Sequence, residues 1–148
     1  MFRIAAWHAV VVVVGLTVGC GKGGVPVYGV SGTVTIDGEP AKNVQVTFMP
    51  TDTTLPVASG NVDSAGNYAL VSGVDNRKGA AAGSYKVVLS QLESLEDAES
   101  RYSSGKGGPP PTPKAAFPKE YASVETTPQQ VDVLAKSNTI NLEIPGAK

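Results

Sequence analysis

The chain holds one cysteine, one histidine and one tryptophan, and all three fall within the first 20 of its 148 residues, at Cys20, His8 and Trp7. A lone cysteine has no intramolecular partner, so no disulfide staples the fold. Residues 21–148 contain neither histidine nor cysteine, which argues against a zinc site and excludes any Ser-His-Asp or Cys-His nucleophile there. Charge is scarce and balanced: 12 lysines and arginines stand against 13 aspartates and glutamates. No basic excess exists to hold nucleic-acid phosphates, and no polybasic cluster exists to read anionic lipid. At this length one domain is expected, and without staples it must rest on a well-packed core.

Long apolar runs are also rare. There is one, and it opens the chain. Arg3 precedes an apolar stretch from Ile4 to Val18, followed by Gly19 and Cys20. A basic residue, an apolar run and then small residues is the order of a secretory signal. The run is shorter than the roughly 20 residues a spanning helix needs, and in lipid it is expected to be helical. The junction Leu16-Thr17-Val18-Gly19-Cys20 resembles the bacterial lipobox, with Thr17 where leucine is usual and Leu16 one step earlier. That resemblance implies cleavage before Cys20, residues 1–19 as a signal peptide, and Cys20 carrying lipid as an anchor rather than acting as a catalyst. Gly21 follows in place of the aspartate that retains such proteins in the inner membrane, which points to the outer membrane. Cleavage removes His8 and Arg3 and takes the formal charge from −1 to −2.

Residues 20–29 (CGKGGVPVYG) read as a flexible tether. Period-2 alternation then begins. In "VSGTVTI" Val30, Gly32, Val34 and Ile36 share one face, and in "NVQVTFMP" Val44, Val46 and Phe48 do so, with the Asp37-Gly38 tight-turn dipeptide between them. Ala58, Gly60 and Val62 form a weaker strand, and "DSAGNYALV" reads as a hairpin with Tyr68 and Leu70 inward. "GVDNRKGAAAG" reads as a loop. "SYKVVLSQL" places Tyr85, Val87 and Leu89 inward, and the alternation ends near Glu93. Within residues 94–119, "SLEDAESRY" allows a helical turn or two, and "SSGKGGPPPTPK" forms no regular structure. Val131 and Val133, then Ile140, Leu142 and Ile144, restore the strand pattern. Seven short strands without a core helix predict an all-β, antiparallel β-sandwich.

"VSGTVTIDGEPAKNVQVTFMP", "DSAGNYAL" and "GSYKVVLS" together resemble the carboxypeptidase regulatory-like domains, whose fold is a transthyretin-like Greek-key sandwich. Asn43 and Val62 depart from that pattern where Gly-Ala and threonine are common. The ending "FPKEYASVETTPQQVDV" with "NTINLEI" is similar to that of small single-domain bacterial lipoproteins of this type. The resemblance implies a domain over residues 30–145 and specifies fold rather than activity. Hydrolases on the transthyretin-like fold use histidines and an arginine, and the histidines are lacking once residues 1–19 are removed.

No catalytic residue, metal or cofactor is therefore expected. Asp37, Glu39, Asp63 and Asp75 are loop carboxylates that lack the close spacing of a calcium loop and are expected to cap their own turns. The expected function is that of a non-catalytic envelope lipoprotein, facing the periplasm or the cell surface. Its partners would be the membrane, through Cys20, and an envelope protein, polymer or glycan. Tyr102, Lys106, Lys114 and Phe117, in the segment 94–119, are the candidate binding residues, because loops on a rigid scaffold carry most recognition. Two alternatives are an assembly module that accepts a partner strand at a sheet edge and a carboxylate hydrolase using Asp63 and Asp75.

Overall fold

The computed structural model describes residues 24–105 and 114–147. The expected signal helix, Cys20 and Lys106 lie outside the described residues. The described chain is mostly β. It forms β1 (Val27–Tyr28), β2 (Val30–Ile36), β3 (Glu39–Pro40), β4 (Val44–Pro50), β5 (Ala58–Asn61), β6 (Asn67–Ala69) and β7 (Val71–Ser72). There follow β8 (Ala80–Ala81), β9 (Gly83–Gln91), α1 (Leu95–Ser103), β10 (Gln130–Val133), β11 (Asn138–Thr139) and β12 (Leu142–Ile144). A short 3-10 turn, Lys119–Ala122, precedes β10.

One sheet orders its strands β10-β9-β4-β5-β7, antiparallel throughout. The second is built around β2, which pairs antiparallel with β3 and β6 and parallel with β11 and β12. The inward residues of both sheets share one core. Val30 and Val34 of β2 and Leu142 and Ile144 of β12 join Val44, Val46 and Phe48 of β4 and Tyr85, Val87 and Leu89 of β9. Phe48 lies with its ring centroid 6.3 Å from that of Tyr68 on the other sheet and 5.9 Å from that of Tyr85. Each fully buried side chain of this kind contributes about 1.5–3 kcal/mol relative to exposure. At the β2–β3 turn both Asp37 and Gly38 have positive φ, 52° and 83°, the left-handed pair of a type I′ hairpin that this dipeptide favours.

Four expectations need correction. The described residues form twelve strands rather than seven, because pairings of two or three residues leave no alternation to read. The sheets are not antiparallel throughout, because β11 and β12 run parallel to β2. The physical reason lies in where the chain arrives. Val133, the last residue of β10, sits opposite Gly83, and Asn138 is already bonded to Gly29 where β2 begins, so the final strands can only run alongside β2 in its own direction. "DSAGNYALV" is not a simple hairpin. The Asp63–Gly66 turn forms, but β6 beyond it pairs with β2, and past Leu70 the chain crosses to the other sheet, where β7 joins β5. The tether does not extend to Gly29. Val27 and Tyr28 pair with Ala81 and Ala80, so "GVDNRKGAAAG" also contains a buried strand where a loop was expected.

The parallel return depends on a missing side chain. At Gly32 the Ile140 carbonyl approaches so closely that a Cβ would overlap its oxygen. Tyr68, opposite Gly32 on β6, donates its hydroxyl to that same oxygen at 2.7 Å. Asn141 Oδ1 accepts from the Thr33 amide at 3.1 Å. Burial raises the Tyr68 pKa well above the usual tyrosine value, so the hydroxyl remains a donor across physiological pH.

Gly32→Ala is expected to lower unfolding stability by about 2–4 kcal/mol through backbone overlap. Tyr68→Phe is expected to cost about 1 kcal/mol, because it removes the donor from a partly buried carbonyl. Denaturant midpoints at constant m-value provide the check. A Gly32→Ala variant as stable as the parent would contradict the close approach.

Candidate functional site

The long strand β9 gives the domain two ends. At its start, a Cβ on Gly83 would meet the Leu55 side chain, and Pro50 pairs with Tyr85. At its finish, Gln91 pairs with Val44, and its side chain bonds the carbonyls of Lys42 and Asn43. Eight residue steps separate Gly83 from Gln91, roughly 26 Å at the strand rise. The entering chain, Gly24 to Tyr28, lies at the Gly83 end through its contacts with Arg77 and β8. The segment 94–119 leaves and returns at the Gln91 end, where the Ala116 amide donates to Gln91 Oε1 at 3.3 Å and Ala147 donates to the Ala116 carbonyl.

At the Gln91 end, helix α1 begins at Ser94, whose hydroxyl accepts from the Asp97 amide at 3.1 Å. Glu96 and Asp97 sit in the first turn and Arg101 in the last, which suits the helix dipole. None of the helix residues is buried. Arg101 pairs with Glu93 at 2.9 Å and lies 5.8 Å over the Tyr102 ring. Tyr102 is 84% exposed and Leu95 87% exposed, one helical repeat of seven apart on the same face. Lys114 is exposed close to Gln91. A shallow depression of about 460 Å³ beside Thr35, Glu143 and Pro145 continues this end.

The candidate residues therefore divide. Tyr102 and Lys114 are exposed at one end of the domain, and Lys106 lies outside the described residues. Phe117 is 2% exposed, packed in the core with Tyr121, so it is a structural residue and offers no contact surface. Sequence reasoning missed it because no periodicity surrounds it. An apolar ring between prolines and lysines was its one available signal.

The loop carboxylates serve turns. Asp63 Oδ1 accepts from the amides of Asn67 and Ala65 at 2.8 and 2.9 Å. The Asn67 amide, then its side chain, hold the Asp63 carboxyl below the usual range. Asp37 accepts from the Gly146 amide at 2.7 Å and fastens the end of β12. Burial works to raise the Asp75 carboxyl, but its hydrogen bonds and the Arg77 charge together outweigh it and leave it lowered. Asp63 and Asp75 thus have separate local partners, and no acid–base pair is formed between them. Among the described residues no group of three or more His, Cys, Asp or Glu side chains could hold a metal ion. The outer strands of the β10-β9-β4-β5-β7 sheet are four and two residues long, which offers little edge to a partner strand there.

A second groove, of about 430 Å³, lies at the Gly83 end between Val25, Thr54, Leu55, Val74, Asp75 and Arg77. Arg77 pairs with Asp75 through Nε and donates from Nη2 to the Val25 carbonyl at 2.8 Å. Ser72 below is fully buried. Its hydroxyl has no partner at hydrogen-bond distance, and its dipole acts only weakly on Asp75.

Because the folded Asp63 pKa is depressed, its contribution to stability is present above the unfolded carboxylate pKa and is lost as pH falls through the folded value. Asp63→Asn is expected to melt below the parent at pH 7, with the gap closing as the pH is taken down through the carboxylate range. A gap that is constant with pH would contradict a charged turn cap.

No protein-family model, curated protein or solved structure matches this chain, so its functional reading rests on its own residues.

Proposed function

We propose that this chain is a non-catalytic lipoprotein of the cell envelope, anchored through acylated Cys20. Its domain is a transthyretin-like Greek-key sandwich of the carboxypeptidase regulatory-like kind, and it presents the segment 94–119 to an envelope protein, polymer or glycan. The outer membrane is the proposed site, following from Gly21 after the cysteine.

The observation that best supports this reading is the opposition of the two ends. The chain enters at Gly24 beside Arg77, while α1 and the returning residues 114–116 lie at the far end of β9. An anchored module that binds a partner needs that arrangement, because its contact surface must clear the membrane. An exposed tyrosine with a neighbouring arginine suits recognition, since a flat ring gives contact area at small entropic cost. The lack of histidine after residue 20 and the local duties of Asp63 and Asp75 favour binding over turnover.

Intact-mass analysis of the chain from a bacterial membrane fraction is expected to give a lipid-modified species starting at Cys20. Cys20→Ala is expected to abolish the added mass and the cleavage. A photo-reactive residue at position 102 is expected to cross-link an envelope component that the same residue at position 136, exposed after β10 at the Gly83 end, does not. An unmodified full-length chain would overturn the anchor, and equal labelling from both positions would overturn the contact surface.

A further inference from the structure

We propose that the Gly24 end of the domain docks directly on the bilayer surface that holds acylated Cys20, with Val74 at the interface and Arg77 and Lys78 against lipid phosphates. This rests on the lipid-anchor reading above. Four residue steps separate Cys20 from Gly24, a reach of at most about 14 Å even when fully extended. Beyond Gly24 no slack remains, because Arg77 holds the Val25 carbonyl at 2.8 Å and β1 pairs with β8. The leash is therefore shorter than the domain it holds, and this end stays within reach of the headgroup layer, which adds roughly 5–7 Å on each side of the hydrocarbon.

The surface at that end suits a membrane. Val74 is 80% exposed at the tip of the Gly73–Asn76 turn, and Val25 and Val57 are 40% and 37% exposed beside it. Val25 and Val74 line the same groove, and the Val57 carbonyl accepts from the Gly73 amide. Scattered apolar residues on a surface are ordinary, but here two line one groove and the third adjoins it through Gly73. Arg77 lines the same groove as Val74, and the exposed Lys78, which follows the turn and bridges to Val71, lies on the adjoining groove beside Gly29 and Ser137 at the same end. Arg77 spends its Nε on Asp75 and one Nη2 proton on Val25, which leaves guanidinium N–H groups to meet phosphate oxygens. A valine at a loop tip with two cations behind it places apolar atoms at the acyl boundary and charge at the headgroups. Docking fixes the orientation of the domain and points α1 away from the bilayer.

The test uses the full lipidated chain in vesicles of phosphatidylethanolamine and phosphatidylglycerol. Removal of residues 1–19 takes away Trp7, so Val74→Trp and Leu95→Trp each carry a single tryptophan, at opposite ends. Val74→Trp is expected to show blue-shifted emission and at least about twofold stronger quenching by brominated acyl chains than Leu95→Trp. Adding Arg77→Glu and Lys78→Glu to Val74→Trp is expected to reduce the quenching toward the Leu95→Trp level. Two tryptophans with equal, water-like emission in a protein whose mass shows lipid on Cys20 would overturn the docking and leave the anchor standing. A protein without lipid on Cys20 would overturn both.

Discussion

The closeness of two backbones at Gly32 decides how this domain is closed. A strand that returns parallel to β2 must pass its Ile140 carbonyl over an α-carbon that carries no side chain. The Tyr68 hydroxyl then satisfies that carbonyl from the opposite neighbour of β2. Three strands are tied at one point, and the tie spans 108 positions of sequence between Gly32 and Ile140. β12 continues in the same register to Asp37, which holds the Gly146 amide and seals the end of the sheet. Without this tie, Leu142 and Ile144 would lose their place opposite Val34 and Ile36, and one side of the shared core would open.

The direction of β2 fixed in this way also sets the polarity of the molecule. β2 starts where the chain enters beside Gly29 and ends at the Asp37-Gly38 turn, so β12 delivers the carboxyl end to the far side, next to Ala116. β9 spans the same length in the other sheet. Local chemistry reinforces the two ends in different ways. Around Gly24 there are exposed valines with Arg77 and Lys78, and around Gln91 there is an exposed, charged helix carrying Tyr102. The same strand geometry separates the two ends proposed to face the membrane and a partner.

Much of the fold was legible because period-2 alternation is a local property. Val30 and Val34, Val44 through Phe48, and Tyr85 through Leu89 all point inward as their spacing requires, and Asp37-Gly38 forms the turn that its dipeptide favours. What was not legible depends on distant partners. Nothing near Ile140 in sequence reveals that Gly32 lies beneath it, so the parallel pairing was missed. Val27 and Tyr28 look like a spacer until Arg77 and Ala80–Ala81 are brought alongside. Of the candidate site, Tyr102 and Lys114 are exposed, as residues of an aperiodic, polar segment tend to be. Phe117 is buried instead, because burial in an aperiodic stretch depends on what the rest of the chain leaves uncovered.

The distance between residue 102 and the lipid surface tests the two-ended account most directly. Once Cys20 is acylated, Tyr102→Cys supplies the one free thiol, which can carry a fluorophore with acceptors placed in the lipid headgroups. The account requires a closest approach of at least about 25 Å, the length of β9. A label found within about 10 Å of the headgroups, inside the reach of a few extended residues, would contradict it.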